Sequence, residues 1–465
     1  MADLVDAIRY PFEIDYGEGI VWQQAELFGT GHMYAPVTDF PFLVFHYPPL
    51  YYVLVAAFRP MFNDGLAAGR AVSVVASAIL AVLVAAIVRR AAGPRASWLL
   101  AVIAGLSVLC SGTVWTWGLL MRVDLMAIAL SFLGLLIAHR SDGRFVPTAV
   151  ALLVCTAAVF TKQLQVSAGI AVFAVALLQQ PRKALLAAGC VGSAGLLIVG
   201  WIQWRTSGGF LHHIIAYNVN PFSLRYLAGV LQIEARDALL LITGLMSAVL
   251  VASRLPGWQR LGPQTRSDPA TASRLLALTH YVLCGLTLVA AAKEGSNANY
   301  FIEFLASGGV LTGLAAAAWY EAGAWRPLGY QQAILCVAAL ANPYREMPAL
   351  ERVQDTAAQL AVVRQVQQAD GPVASENMTL VLRAGRQVIY EPAMVTHLAN
   401  SGVWDETPLL TMISHRRFAF ILTIDDRLTA VSLRTPSVDA AMRAAYPVVE
   451  LAAPGIWINR PAADR

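Results

Sequence analysis

Six clusters of charged and polar residues interrupt an otherwise apolar chain, and their residue types could support proton transfer and anion binding. An ionised carboxylate can remove a proton from a hydroxyl group, and Lys or Arg can stabilise negative charge that develops during a reaction. The clusters contain Asp15 and Glu18; His46 and Tyr47; Arg122 and Asp124; Lys162 and Gln163; Asn218; and Lys293, Asn297, Asn299, Tyr300 and Glu303.

Three of the clusters illustrate that an explanation concerning structure alone is also possible. Asp15 and Glu18 could begin a helix. Arg122 and Asp124 could pair with each other, because buried charges need partners. Lys162 could extend its ammonium group to the lipid headgroups. A common function is favoured because all six clusters fall at the same end of the apolar segments that surround them.

The composition places most of this chain in a membrane. Of its 465 residues, 57% are hydrophobic and 13% are charged, whereas soluble domains are about 25% charged. Residues 343–465 hold 25 charged residues and the preceding 342 hold only 37. We therefore predict a first loop with amphipathic helices at 1–64, a transmembrane helical body at 65–342 and a polar domain at 343–465. The net charge of +4 and the lack of a basic run do not favour a nucleic-acid partner.

A polytopic α-helical membrane protein with about ten spans is the predicted fold class, since a span needs about 20 mostly apolar residues. One set of short loops carries 12 basic and three acidic residues, which predicts that this side faces the cytoplasm. The polar clusters, both chain ends and the 343–465 domain would then lie outside. The predicted spans are 66–88, 97–114, 124–139, 146–161, 164–179, 184–203, 227–252, 274–292, 300–320 and 327–341.

The predicted orientation leaves the first loop without a span that could carry it outward. Residues 1–64 contain eight acidic residues and two arginines, and an acidic stretch of this length does not cross a membrane readily. We therefore expect a further apolar helix upstream of Met1.

The polar C-terminal part is predicted to be a small extracytoplasmic α/β domain. Residues 347–368 have helical periodicity, and 388–390, 418–424 and 447–451 have the pattern of buried strands. The five cysteines all lie in apolar stretches without CxxC spacing, so they predict neither a metal site nor a disulfide framework.

Several of these motifs together resemble the glycosyltransferase-C superfamily. They are an acidic pair in the first loop, a YPPLYY segment at 47–52, RVD at 122–124, TKQ at 161–163, GGF at 208–210 and GSNANYFIE at 295–303. Within this superfamily, the chain is similar to the broad group that includes protein O-mannosyltransferases and aminoarabinose lipid A transferases, and the segments from RVD onward resemble a bacterial family 39-like branch of that group. The resemblance covers nearly the whole chain and does not specify the sugar.

The resemblance implies a bacterial inner-membrane enzyme that moves a hexose or pentose from a polyprenyl-phosphate carrier to an acceptor on the outer face, with inversion. The acceptor could be a glycan, a lipid or a protein. Asp15 matches the family's catalytic Asp, but Tyr16 stands where a Glu commonly follows, so the base could be Asp15 or Glu18. Some relatives use a divalent metal and others none, and the sequence leaves this open.

The remaining polar residues are assigned to the substrates by the same resemblance. Lys162, Lys293 and Arg122 are predicted to bind the donor phosphate. The residues predicted to line the substrate cavity are His46, Tyr47, Asp124, Gln163, Asn218, Asn297, Asn299, Tyr300 and Glu303.

Functions of other classes also fit a polytopic chain. A transporter or lipid flippase would predict an internal repeat and ionisable residues near span midpoints, and the sequence has neither feature. A non-enzymatic assembly subunit would not need Asp15. A ligase or polymerase of lipid-linked glycans would share the donor class and differ only in its product.

Overall fold

The structure is a computed structural model that describes residues 2–62, 64–93, 97–341, 356–424 and 432–462. The predicted domain boundary at 343 and the predicted helix start at 347 lie outside these ranges. Residues 2–341 form a helical body. Its helices are α1 Ala2–Arg9, α2 Tyr16–Glu26, α3 Leu50–Phe62, α4 Gly65–Ala91, α5 Trp98–Leu109, α6 Gly112–Gly118, α7 Asp124–Ala138, α8 Phe145–Val159, α9 Ser167–Gln179, α10 Pro181–Arg205, α11 Gly209–Ile214, α12 Leu224–Glu234, α13 Ala238–Ser253, α14 Trp258–Ser267, α15 Pro269–Thr287, α16 Phe301–Glu321 and α17 Trp325–Ala341.

Helices occur in all ten segments that hydropathy predicted as spans. Within the described part of the chain, five helical stretches are long and apolar enough to cross a membrane, or six if the bent pair α5–α6 is one span. Four apolar helices of 10–17 residues, α3, α7, α8 and α9, are shorter than a usual span. The polytopic helical fold is therefore present, and the count of ten remains a prediction.

Helix α4 illustrates how the sequence sets the ends and the packing of these helices. Asp64 caps the first turn by accepting a hydrogen bond from the Leu66 amide at 3.0 Å. Arg89 and Arg90 lie in the last turn, where cations interact favourably with the helix dipole. Helix α5 packs closely on α4 because it has Gly105, where a built Cβ would lie 2.3 Å from the Ala81 carbonyl oxygen.

The polar C-terminal part forms a small domain of helices around one sheet, as predicted. Its four strands are in the order β1-β2-β4-β3, with β1 parallel to β2 and the other pairs antiparallel. The elements are α18 Thr356–Gln368, β1 Val373–Ser375, α19 Met378–Arg383, α20 Pro392–Asn400, α21 Thr407–Ser414, β2 Phe420–Ile424, α22 Pro436–Ala445, β3 Val448–Ala453 and β4 Ile456–Arg460.

Two of the predicted strands need correction. Residues 388–390 form no strand of the sheet and make only an isolated bridge between Phe42 and Tyr390. Strand β3 was predicted to be buried, but it lies at the sheet edge and most of its side chains are exposed. Residues 388–390 are apolar because they pack against other elements. Strand β3 is held in the sheet by its pairing with β4.

The C-terminal domain packs directly on the first loop. The Phe42 amide donates to the Ile389 carbonyl at 2.9 Å, and the Glu391 amide donates to the Phe42 carbonyl at 3.0 Å. Arg383 forms an ion pair with Asp64 at 2.8 Å. These contacts hold the small domain against the loop that carries Asp15.

Candidate active site

Asp15 lies at the N-cap of α2 with one side of its carboxylate free. Its Oδ1 accepts a hydrogen bond from the Gly17 amide at 3.0 Å and lies 3.4 Å from Arg122 Nη1. Among the described residues, Oδ2 has no hydrogen-bond partner, and the side chain is 35% exposed. A carboxylate that is fixed through one oxygen and open at the other can accept a proton from a substrate hydroxyl group.

Glu18 occupies a different environment, although it is only three residues away. It is fully buried, and its oxygens accept hydrogen bonds from Arg70 Nε and Nη2 at 2.8 and 2.7 Å. The Met121 and Ile14 amides donate to the same carboxylate at 2.7 and 2.6 Å. Since both oxygens are engaged, the geometry favours a structural role for Glu18 and leaves Asp15 as the candidate base.

Arg70 completes this buried ion pair and ties α1 and the start of the first loop to α4. Its Nη1 and Nη2 groups donate to the carbonyl oxygens of Ala7, Tyr10 and Phe12 at 2.6–2.8 Å. The sequence analysis did not single out Arg70. A lone arginine inside the apolar stretch 66–88 was the available signal, because an ionisable residue in such a segment needs a buried partner.

Arg122 brings a cation next to Asp15. Its guanidinium group lies 4.7 Å from the centre of the Trp117 ring, a cation–π distance. Gly17 leaves room for it, since a Cβ built there would lie 1.4 Å from Arg122 Nη1. Arg122 Nε is buried and has no hydrogen-bond partner within the protein. An unsatisfied guanidinium N–H is costly unless a ligand accepts from it.

Lys162 and Asp124 form a second ion pair, whereas Arg122 pairs with Asp15 and not with its neighbour Asp124, the alternative that the sequence left open. Lys162 Nζ lies 2.5 Å from Asp124 Oδ1, and Asn299 Nδ2 donates to the same oxygen at 2.8 Å. Lys162 Nζ also lies 4.6 Å from the Tyr300 ring centre. The protein itself therefore supplies an anion for Lys162, while Asp124 Oδ2 is buried without a partner.

Lys293 lies in the loop that leads to Asn299 and Tyr300. Its ammonium group donates to the Asn218 carbonyl at 2.7 Å, and among the described residues it has no carboxylate partner. Asn218 Nδ2 in turn donates to the His213 carbonyl at 2.7 Å. Asn297 caps the following short helical turn by accepting from the Ala298 amide. Lys293 is thus the lysine of this region whose charge is not neutralised by an ion pair.

His46, Tyr47 and Gln163 line the same region from the first loop and the α8–α9 connection. His46 Nδ1 lies 2.9 Å from Gln24 Nε2, and burial lowers the pKa of His46 to about 3. His46 is therefore neutral at pH 7 and is not a phosphate-binding cation. Gln163 Nε2 donates to the His46 carbonyl at 2.9 Å. Burial raises the pKa of the Tyr47 hydroxyl group above its ordinary value.

Glu303 does not join the residues around Asp124, although it is only four positions from Asn299. It lies in the first turn of α16, and its Oε1 is 3.1 Å from His280 Nε2 on α15. The side chain points between two helices, whereas Asn299 precedes the helix. The structure thus places Glu303 in a separate buried cluster.

The acidic pair Asp15–Glu18 does not fit a divalent metal ion. Glu18 has both oxygens saturated by Arg70 and backbone amides, and Asp15 forms an ion pair with the cation Arg122. A hard divalent cation prefers several free oxygen ligands. Only Asp15 Oδ2 of this pair is available, so we assign no step of the chemistry to a metal at this position.

Glu13 is a third carboxyl group of the first loop that the sequence analysis missed. Its Oε2 atom is buried without a hydrogen-bond partner and faces Gly19, where a built Cβ would be 2.6 Å away. Burial, together with the charges of Glu18 and Asp15, raises the pKa of Glu13 well above its ordinary value. The group is therefore protonated in the folded protein under conditions where the unfolded chain ionises it.

We expect the Glu13→Gln substitution to remove part of the pH dependence of stability. Because the pKa of Glu13 is higher in the folded protein, its protonated form stabilises the fold fully at a pH below the ordinary Glu pKa of about 4.3. This contribution to the free energy of unfolding decreases as the pH rises toward the folded-state pKa. Thermal unfolding of the detergent-purified proteins at several pH values should show a variant-minus-wild-type difference that grows from pH 5 to pH 8. A difference that is constant over this range would contradict a buried neutral Glu13.

Comparisons with known proteins agree at the level of the fold. The structure of ArnT from Cupriavidus metallidurans bound to undecaprenyl phosphate superposes with a TM-score of 0.59 at 13% identity and covers 99% of this chain and 97% of ArnT. The Archaeoglobus fulgidus oligosaccharyltransferase AglB, in complex with an inhibitory peptide and a dolichol-phosphate, has a TM-score of 0.52 at 11% identity. The superposition covers 97% of this chain and 70% of AglB. The structure of the A. fulgidus oligosaccharyltransferase in complex with Zn and sulfate has a TM-score of 0.53 at 11% identity. It covers 91% of this chain and 67% of the oligosaccharyltransferase chain.

The protein therefore has the same overall fold as ArnT and the A. fulgidus oligosaccharyltransferase. At the level of the fold, this agrees with the resemblance seen in the sequence. No protein-family model matches the sequence, and no curated protein matches it either. At these identities the structural similarity defines the fold, and the activity has to be inferred from the site.

Proposed function

We propose that this protein is a membrane glycosyltransferase that moves a sugar from a polyprenyl-phosphate carrier to an acceptor on the outer face of the bacterial inner membrane. The observation that carries the proposal is the half-free Asp15 carboxylate held 3.4 Å from Arg122, on a fold shared with proteins bound to undecaprenyl phosphate and dolichol-phosphate.

Asp15 acts as the general base in this proposal. Its Oδ2 accepts the proton of an acceptor hydroxyl group as the hydroxyl oxygen attacks the anomeric carbon. The bond from that carbon to the phosphate oxygen breaks in the same displacement, so the configuration inverts. Gly17 and Arg122 hold Oδ1, which keeps Oδ2 directed to the acceptor.

Arg122 and Lys293 stabilise the departing lipid phosphate. Arg122 offers a buried Nε–H without a protein partner, and Lys293 offers an ammonium group bound only to a backbone carbonyl. Lys162 contributes less free charge because Asp124 already neutralises it. The unpaired Asp124 Oδ2 provides an acceptor for a hydroxyl group of the sugar.

A test of this arrangement replaces Lys293 by Met, with Lys183→Met as a matched control. Lys183 is an exposed residue near the start of α10, on the predicted cytoplasmic side. We expect membranes containing Lys293→Met to transfer labelled sugar from polyprenyl-phosphate donors at least about tenfold more slowly, because the lost charge stabilises the leaving phosphate more than the bound ester. The Lys183→Met protein should retain wild-type rates. Equal rates in both variants would remove Lys293 from the phosphate site.

The predicted orientation can be tested by cysteine labelling in whole cells. We expect Glu294→Cys and Ser401→Cys to react with a membrane-impermeant maleimide from outside, and Ser253→Cys to react only after permeabilisation. All three positions are exposed, and the prediction follows from the distribution of basic residues. The background protein should lack the native cysteines that are not buried, Cys110, Cys190 and Cys336. The reverse labelling pattern would overturn the outer-face assignment.

A further inference from the structure

Three potential metal ligands from two neighbouring helices meet at a point that the proposed reaction does not use. His280 and Cys284 lie one turn apart on α15, and Glu303 lies in the first turn of α16. The ligand atoms all lie within 4.8 Å of one another. His280 Nε2 is 3.1 Å from Glu303 Oε1 and 3.3 Å from Cys284 Sγ. All three side chains are buried.

We propose that His280, Cys284 and Glu303 bind a divalent metal ion of the zinc type. Zinc bonds to His nitrogen, Cys sulfur and carboxylate oxygen at about 2.0–2.3 Å, which places neighbouring ligand atoms about 3–4 Å apart. The two separations from His280 Nε2, 3.1 and 3.3 Å, are close to this spacing, and the third pair of ligand atoms lies within 4.8 Å. A mixed N, S and O ligand set favours zinc over magnesium or calcium, which prefer oxygen ligands alone.

Two of the potential ligand atoms lie within hydrogen-bonding distance of the same ring nitrogen. His280 Nε2 faces both the Glu303 carboxylate and the Cys284 sulfur, yet a ring nitrogen carries either one proton or one lone pair. A cation bonded to all three atoms would satisfy them together. It would also compensate the charge of Glu303, which is costly inside a bundle of apolar helices.

The surroundings of His280 match those of a metal ligand. Its other ring nitrogen, Nδ1, lies 3.0 Å from Ser307 Oγ on α16. Histidines that bind metals use the second ring nitrogen in this way, which fixes the orientation of the ring. Phe132 on α7 packs against the ring at 5.4 Å between centroids and covers the cluster with an apolar side chain.

The metal would join α15 to the beginning of α16. That helix follows directly on Asn299 and Tyr300, which contact Asp124 and Lys162. The ion is therefore placed to fix the position of these two residues without touching the substrates. The metal site does not include the proposed base Asp15. A result that excludes the metal would therefore not contradict the proposed transferase function.

The experiment measures zinc in the purified full-length protein after dialysis against a weak chelator. We expect about one zinc per chain in the wild type, since structural zinc is held tightly. His280→Gln and Cys284→Ser should each lower this to background, and Cys190→Ser, which removes an exposed cysteine outside the cluster, should retain it. Wild-type protein with no more zinc than the Cys284→Ser variant would overturn the proposal.

Cobalt substitution keeps the test independent of variant folding. Wild-type protein loaded with Co²⁺ should show the intense thiolate-to-cobalt absorption and the visible bands of a tetrahedral site, and one equivalent of Zn²⁺ should abolish them. A wild-type protein that develops no such absorption with excess Co²⁺ would equally overturn the site.

Discussion

Asp15→Asn should lower the rate of sugar transfer by about 100- to 10,000-fold, the usual loss when a general base is removed. The asparagine can still face Arg122 and cap α2 through its side-chain oxygen, because Asn is as good an N-cap as Asp. It cannot accept the hydroxyl proton. Binding of the donor and thermal unfolding should therefore change little, and single-turnover transfer from a labelled donor gives the rate.

Asp39→Asn is the matched control for this substitution. Asp39 is an exposed aspartate of the same loop, with only a side-chain contact to Thr38. We expect its transfer rate to stay within about twofold of the wild type, as is usual for changes away from the reacting atoms. If Asp15→Asn is as active as Asp39→Asn, the base has been misassigned.

Arg70→Met should destabilise the protein by about 3–5 kcal/mol, because it leaves the Glu18 carboxylate buried without its cation. The backbone carbonyls of Ala7, Tyr10 and Phe12 would lose their donors at the same time. The measurement is the yield of folded protein and the midpoint of denaturant-induced unfolding in detergent. We expect the first loop to become sensitive to limited proteolysis first.

A second Arg–Glu pair of the same loop serves as the control. Arg59 and Glu26 are also 2.7 Å apart, but their side chains are 53% and 26% exposed. Removing an exposed pair costs about 0–1 kcal/mol, so Arg59→Met should unfold nearly as the wild type does. Similar losses in both variants would show that burial of the Arg70–Glu18 pair is not what stabilises the loop.

Hydropathy predicted the helical body well because burial in lipid imposes long apolar segments. All ten predicted segments contain helices, including the bent pair α5–α6. Pairing between distant charges was not predictable in the same way. The sequence allowed Arg122 to pair with Asp124, two positions away, but it pairs with Asp15 across 107 positions. Packing of the first loop on α4 and on the segment between α6 and α7 brings these groups together.

Residue spacing was also a poor guide where a helix begins. Asn299 and Glu303 belong to one polar run in the sequence, but the start of α16 separates their directions. Asn299 contacts Asp124, while Glu303 contacts His280. In the same way, Asp15 and Glu18 look equivalent in the sequence. Arg70, which is 52 positions from Glu18, makes Glu18 structural and leaves Asp15 available for chemistry.

The most direct test of the proposed function reconstitutes the purified protein into vesicles that contain a fluorescent polyprenyl-phosphate sugar and a crude acceptor fraction. We predict that the wild type releases free polyprenyl phosphate and moves the sugar to the acceptor. The donor should exchange between leaflets no faster than in empty vesicles, and Asp15→Asn should abolish release. Accelerated exchange of an intact donor, without cleavage of the sugar–phosphate bond, would identify a flippase and contradict the transferase assignment.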